Sequence, residues 1–339
     1  MNIVSLFSGA GGLDFGFEQE GFRPIIAYDI EPAAVRTYNY NRRGEIAREA
    51  DLSSLTGDDI IREIAQLELD EPPRGVIGGP PCQYFSNGNK APRREDDSKR
   101  TLPINYASIL RRLNKEYRLD FFMFENVHGL AKPAYHDDFQ HIIEMFEGAG
   151  FRVFSEILDA YNYGVPQFRK RVFLVGWNRD LYPEARYEFP AGNPCGLKVQ
   201  DRIGGLAEPQ FCARNPNPDE FPEHPNHWTM RPISDKFRNP PPSDLSQYTR
   251  SFRRLFWGKP SYTVAYGHNE IHIHPEGHRR LSIYEAMLLQ GFPSGRDRYR
   301  LLGTLTEQVT LVSDAVPPPL AATLARSILQ FMEEHPHHE

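Results

Sequence analysis

Short apolar runs, each closed by glycine, proline or an acidic residue, alternate with stretches of helical period over the first half of the chain. Ile3-Val4-Ser5-Leu6-Phe7 predicts a strand, Ser8-Gly9-Ala10-Gly11-Gly12 a turn, and residues 13–20 a helix that Gly21 stops. A second strand, 24–28, runs into Asp29-Ile30-Glu31 and a helix over 32–41, and Ala50-Asp51-Leu52 reads as the end of a third strand. Residues 74–78, with β-branched Val76-Ile77, predict a buried strand ending at Gly78-Gly79-Pro80-Pro81. A helix over 106–115 leads to the apolar strand 120–124, which ends in Glu125-Asn126-Val127. Phe139, Ile142, Ile143 and Phe146 share one helix face before Gly148 and Gly150, and strands follow at 152–158 and 172–176. Such alternation predicts an α/β fold with a doubly wound, mostly parallel sheet.

From about residue 178 to 258 the rhythm is lost and Pro, Asn and Arg become frequent, which marks a second, smaller and irregular domain. The expected division is 1–177, 178–278 and a return segment, 279–339, that completes the first domain through a helix over 318–333. The length of 339 residues fits about two domains. A net charge of -6 argues against a uniformly basic nucleic-acid binder. The distribution answers it: between Trp228 and Tyr262, Arg231, Lys236, Arg238, Arg250, Arg253, Arg254 and Lys259 face only Asp235 and Asp244. Cys82, Cys195 and Cys212 are far apart and lack metal-site spacing, which points to a reducing compartment. With no membrane-length apolar run or signal peptide, the expected location is the cytoplasm.

Three features carry chemistry. Cys82 stands at the carboxyl end of a strand, where open α/β sheets place ligands, and two prolines fix the backbone that aims it. Glu125 closes an apolar strand, so desolvation should raise its pKa. The glycine turn with Asp29 twenty residues on fits a nucleoside-containing cofactor, while Asp14 occupies the place of the last glycine of a dinucleotide fingerprint and disfavours a nicotinamide enzyme. After Ser86, residues 87–100 mix Gly, Asn, Pro and both charge signs, and read as a lid beside the nucleophile.

Together these residues resemble the DNA cytosine-5 methyltransferase family of the bacterial restriction-modification kind. Phe7-Ser8-Gly9-Ala10-Gly11-Gly12, Gly79-Pro80-Pro81-Cys82-Gln83, Glu125-Asn126-Val127, Gln167-x-Arg169-x-Arg171, Arg280-Leu281-Ser282 through Gln290-Gly291-Phe292-Pro293, and Ala315-Val316-Pro317 occur in the family's order. The resemblance implies a Rossmann-like, S-adenosylmethionine-dependent enzyme that methylates carbon 5 of a cytosine flipped out of specific double-stranded DNA. It implies Cys82 as a covalent nucleophile on carbon 6, Glu125 on the ring nitrogen and exocyclic amine, and Arg171 with Arg169 near the base carbonyl or the backbone. Phe7, Gly9, Gly11, Leu13, Asp29, Ile30, Asp51 and Pro80 would shape the S-adenosylmethionine site. Ser86, Arg231, Arg250, Arg253, Arg254 and Thr263 would contact DNA.

The resemblance also implies a monomer on DNA, no membrane association, and a cognate restriction endonuclease reading the same site as an expected partner. His268, His272, His274 and His278 lack an accompanying cysteine, and no metal is expected. One departure from the family pattern is Ser313-Asp314, where Gly-Asn is usual; aspartate cannot donate as an amide does, which bears on cofactor affinity. Arg100 and Pro103 depart from the usual small and aromatic residues. An RNA methyltransferase on the same scaffold and a non-catalytic DNA-binding homologue are the competing readings; the elaborate 178–258 region weighs against the first, and retention of Cys82, Glu125 and Arg171 against the second.

Overall fold

The computed structural model describes residues 1–81, 101–212, 217–233, 237, 253–263, 265–266 and 270–336. Its centre is a sheet of β1 (Asn2–Leu6), β2 (Arg23–Asp29), β3 (Ala47–Glu49), β4 (Gly75–Gly78), β5 (Phe121–Val127), β6 (Phe151–Asp159) and β7 (Lys170–Asn178), ordered β3-β2-β1-β4-β5-β7-β6. The first five strands pair in parallel, and β7 runs antiparallel between β5 and β6. The expected mostly parallel α/β sheet is therefore present. The reversed strand has a local cause: β6 and β7 are joined by a short connection carrying a single 3-10 turn, Ala160–Tyr163, too brief for the crossover a parallel partner needs.

Alternate residues of each strand feed opposite cores. Ile3, Ile77, Met123 and Val175 face one side, where α1 (Gly12–Gln19) and the C-terminal helix pack; Val4, Val76, Phe122, Phe124 and Leu174 face the other. That second face is covered by α3 (Gly57–Ile64), α4 (Leu102–Tyr117) and α5 (His136–Gly148), while α2 (Pro32–Arg42) lies between β2 and β3 in the chain. A third cluster is built by α6 (Gln200–Ile203), α7 (Ile283–Leu289) and α8 (Leu305–Asp314), with Val199, Leu255 and Ile271. The last helix, α9 (Pro318–Glu334), lies directly on α1: a Cβ added to Gly16 would meet Ala321 Cβ at 2.4 Å. The chain from Leu181 to Tyr187 stays packed on the first core after β7 ends. Among the described residues no helix is long and apolar enough to cross a membrane.

The region between β3 and β4 differs from expectation. The third strand stops at Glu49, so Asp51 lies two residues beyond it, in a turn where it accepts from Ser53 N at 2.8 Å. Helix α3 is additional, and its start is a capping box in which Thr56 accepts from Asp59 N while Asp59 accepts from Thr56 N.

Candidate active site

Strand register assembles the site. Leu6 pairs with Tyr28 and with Gly78, and Gly78 with Phe124, so Phe7, Asp29, Gly79 and Glu125 follow as one row along the carboxyl edge of the parallel strands. Strand order reverses between β1 and β4, which opens a crevice at this row. Pro80 is buried there and its carbonyl accepts from Asn126 Nδ2 at 3.3 Å, tying the segment that leads to Cys82 onto the end of β5. Cys82, Ser86, Arg250 and the expected lid, 87–100, lie outside the described residues.

Glu125 is only 7% exposed. Its Oε1 lies 3.1 Å from Arg171 Nε as an ion pair, and is buried without a hydrogen-bond partner among the described residues. Burial raises the Glu125 pKa; Arg171 and Arg169 oppose the rise and Asp314 adds to it. Arg169, 1% exposed, sits behind this pair, with Nη2 donating to the Asp314 carbonyl at 3.4 Å and Nε and Nη1 finding no hydrogen-bond partner among the described residues. Burial, with Arg171 alongside, pushes its pKa down to about 9 against the pull of Glu125 and Asp314. Asp314 is exposed, yet desolvation by the surrounding protein raises its pKa while Arg169 and Arg171 lower it. The aspartate at the expected asparagine position thus leaves two carboxylates and two guanidiniums grouped at one end of the sheet.

The glycine turn forms the other half. Phe7, Gly9 and Gly11 all have positive φ, at 55°, 54° and 79°; only for the glycines is this inexpensive, so Phe7 marks stored strain at the turn. The space beside Gly9 is open, with nothing within 4 Å of an added Cβ. Asp29 accepts from Gly9 N at 2.7 Å and Glu31 N at 2.9 Å, one bond on each oxygen, which leaves lone pairs for a ligand hydroxyl. Ile30 beside it is 54% exposed, an apolar surface facing outward at a strand end. Ser8 Oγ is buried without a hydrogen-bond partner among the described residues. An open glycine cradle, a poised carboxylate, an exposed apolar side chain and an orphaned hydroxyl fit a nucleoside-bearing cofactor. Leu13, by contrast, is buried in the core under α9, and Asp51 is exposed beyond β3.

Beneath the turn lies a polar network that sequence reading did not assemble. Tyr38 hydroxyl donates to Asp14 Oδ1 at 2.8 Å, and Arg42 stacks over the Tyr38 ring with its guanidinium carbon 3.7 Å from the centroid. Arg42 also grips Glu18 with two bonds of 2.7 Å, and its Nη2 donates to the Gly11 carbonyl at 3.4 Å. Tyr299 hydroxyl donates to the Ala10 carbonyl. Asp14, read as a mismatch to a dinucleotide motif, is a buried support of the turn, and burial raises its pKa against the pull of Arg42.

On the recognition side, Phe168 N donates to the Ser261 carbonyl at 2.9 Å and Thr263 Oγ1 to the Phe168 carbonyl at 3.2 Å, so the 261–263 segment is docked on the loop carrying Arg169 and Arg171. Arg231 is exposed, Arg253 lies over the Tyr262 ring at 4.9 Å, and Arg254 spends its Nε on the Pro275 carbonyl at 2.6 Å. Gln167 reaches Gln290 Oε1 at 2.8 Å, and Ser282 with Glu285 caps α7 while Glu285 binds Arg279 through bonds of 2.8 and 2.9 Å; these motif residues serve as scaffold. Of the histidines, His274 and His278 approach Glu276, with ligand atoms within 4.8 Å. His274 Nδ1 already accepts from Glu276 N at 3.3 Å, and Arg279 and Arg254 help hold the ring neutral, its pKa pushed down first by burial to about 3, an unfavourable field for a cation.

A family model described as C-5 cytosine-specific DNA methylase matches residues 1–330. The chain is 32% identical over 356 residues to the Type II methyltransferase M.MthTI of Methanothermobacter thermautotrophicus, covering 98% of both chains. It is 30% identical to the Type II methyltransferase M.FnuDI of Fusobacterium nucleatum, covering 98% of this chain and 96% of that protein. Among solved structures, an E. coli prophage-encoded protein described as a DNA modification methyltransferase superposes with a TM-score of 0.76 at 23% identity over 98% of this chain and 99% of that one. The S. pombe Dnmt2 methyltransferase superposes with a TM-score of 0.62 at 16% identity over 98% and 99%. These two share the fold, and the sequence matches decide the rest: with the family model spanning nearly the whole chain, this protein belongs to the C-5 cytosine-specific DNA methylases.

Proposed function

We propose that the chain methylates carbon 5 of a cytosine flipped out of a specific duplex sequence, through a covalent adduct to Cys82, as the modifying partner of a restriction endonuclease. The observation that carries this reading is the Glu125–Arg171 pair, buried at the end of β5 and abreast of the Gly79-Pro80-Pro81 segment that delivers Cys82. S-adenosylmethionine, when bound, supplies an electrophilic methyl group. Phe7, Gly9, Gly11, Ile30 and Pro80 would shape its site and Asp29 would hold a ribose hydroxyl; Leu13 would contribute backbone and Asp51 a contact to the adenine amine.

In the proposed reaction the Cys82 thiolate adds to carbon 6 while Glu125, whose pKa burial raises, delivers a proton to ring nitrogen 3, so that carbon 5 becomes enamine-like. Carbon 5 takes the methyl group and loses its proton to a base; ring nitrogen 3 then returns its proton to Glu125 as the carbon–sulfur bond breaks and restores the thiolate. Arg171 would orient Glu125 and meet the base carbonyl, and Arg169 would hold Arg171 and Asp314 in place from behind. Ser86, Arg231, Arg250, Arg253 and Thr263 are the proposed DNA contacts, with Arg254 contributing through whatever donors its bond to Pro275 leaves.

The test is incubation with S-adenosylmethionine and duplexes carrying 5-fluorocytosine in many sequence contexts. A denaturation-resistant adduct that is lost in Cys82→Ala, while duplex binding survives, is expected. Tight duplex binding with no adduct would favour a regulatory homologue, and an adduct on structured RNA alone would move the substrate to RNA.

A further inference from the structure

Outside the crevice, the described surface has a cleft of about 460 Å³ lined by His128, Asp159, Phe168, Lys170, Arg171 and Thr263. That size falls in the range of small-ligand pockets, roughly 300–1,000 Å³. Phe168 is 47% exposed in it, backed by Tyr161 at a ring-centroid distance of 4.8 Å, and its backbone is pinned by Ser261 and Thr263. A large aromatic ring held rigidly beside cations offers a flat face for a planar ligand. The surrounding charge is positive. Lys170 is exposed and Arg171 forms a wall, two cations against the one lining acid, Asp159, whose Oδ1 accepts from the backbone amides of Arg169 at 2.9 Å and Tyr161 at 3.3 Å. His128 reports the same field: burial lowers its pKa first, and Lys132, Arg171 and Lys170 lower it further, against a hydrogen bond to the Lys170 backbone.

Arg171 sets the position of this cleft relative to the reaction. Its Nε lies 3.1 Å from Glu125 while it lines the cleft, so one guanidinium separates the two spaces. We propose that the cleft is a second nucleotide subsite, holding the substrate-strand nucleotide next to the target with its base stacked on Phe168 and its phosphate against Lys170. An aromatic face beside cations is the chemistry that holds unstacked nucleotides without reading their sequence. The inference rests on the proposed methyl transfer to a flipped base. It adds that a neighbouring nucleotide is drawn from the stack as well.

The experiment places 5-iododeoxyuridine at each position flanking the target in duplexes that form the 5-fluorocytosine adduct, followed by irradiation and mass spectrometry. A crosslink to Phe168 from one flanking position is expected, lost in Phe168→Leu. Duplex affinity should fall about 5- to 100-fold in Phe168→Leu and recover in Phe168→Trp, with S-adenosylhomocysteine binding unchanged as the check on folding. Lys170→Ala should reduce the slope of log affinity against log salt by about 1. If wild-type protein forms no adduct, the methyl-transfer reading fails first. If the adduct forms but Phe168 is not crosslinked and Phe168→Leu binds duplex as wild type does, the subsite is refuted.

Discussion

Gly79 and Glu125 sit so close across neighbouring strands that a Cβ on the glycine would lie 2.7 Å from Glu125 Oε2. A glycine at the start of the Gly-Pro-Pro segment is therefore a steric requirement of the carboxylate on the next strand. Gly79→Ala should push Glu125 off its position, and a displacement of about 1 Å at a reacting centre costs on the order of 100-fold in rate. Single-turnover methyl transfer should show this loss with duplex affinity largely kept. Unimpaired turnover would mean that Glu125 has room to spare.

Asp314 sets the charge around Glu125. Burial is the main cause of the raised Glu125 pKa, and Asp314 adds to it. A carboxyl whose pKa is raised is neutral up to a higher pH, so removing the neighbouring charge makes ionisation easier. Asp314→Asn should therefore move the alkaline limb of the rate profile to lower pH, if the neutral acid is the working form. Comparing the pH dependence of single-turnover rates in the two proteins checks the direction; an upward shift would contradict it.

The support beneath the glycine turn should be felt at the cofactor and not at the DNA. Tyr299→Phe leaves the Ala10 carbonyl without its donor, a loss of about 1–3 kcal/mol for a buried group. Calorimetric titration with S-adenosylhomocysteine should show weakened affinity while duplex affinity holds. Arg42→Met is the harsher change: it strips Glu18 and Asp14 of their cation, and breaking a buried pair typically costs about 3–5 kcal/mol, so lower stability accompanies the weaker binding.

His224 should make the fold acid-sensitive. Its Nδ1 accepts from Asn226 N at 3.0 Å and its Nε2 bonds the Tyr299 carbonyl at 2.9 Å, a pairing that needs the neutral ring. Burial pushes its pKa down to about 4 from an ordinary 6.5. A base with a lowered folded pKa contributes stability above its unfolded pKa and loses it as pH falls toward the folded value, here roughly 3 kcal/mol over the window. In urea unfolding, the advantage of wild type over His224→Asn should shrink by that amount between pH 7 and 4. A constant difference would remove His224 from the acid response.

The legible parts of this molecule are those written in neighbouring residues. Apolar runs, the glycine turn, Asp29 and Glu125 declare themselves because a strand end and its first loop are contiguous. The direction of β7 was not legible, since an apolar run reads alike in either sense; only the short link after Asp159 hinted at it. The surroundings of Asp14 were hidden for another reason. Tyr38 and Arg42 come from the next helix and Tyr299 from the far end of the chain, so no local pattern unites them. Arg254 adds something a basic stretch alone does not show: its Nε is committed to a backbone carbonyl, that of Pro275. A capping box at Thr56 and Asp59 was written in the sequence and could have given α3.

The packing of α9 on α1 has a temporal consequence. Leu13 and Phe17, which anchor the helix behind the glycine turn, share their core with Leu320, Ala321, Leu324 and Ile328. During synthesis the first strand and its turn leave the ribosome long before the segment that covers them, and Gly16 waits with its bare backbone exposed until Ala321 arrives. The nascent chain can form its sheet early, but the cofactor cradle acquires its backing only when the last helix docks. The backing of the glycine turn is thus coupled to the emergence of α9, which begins only at Pro318.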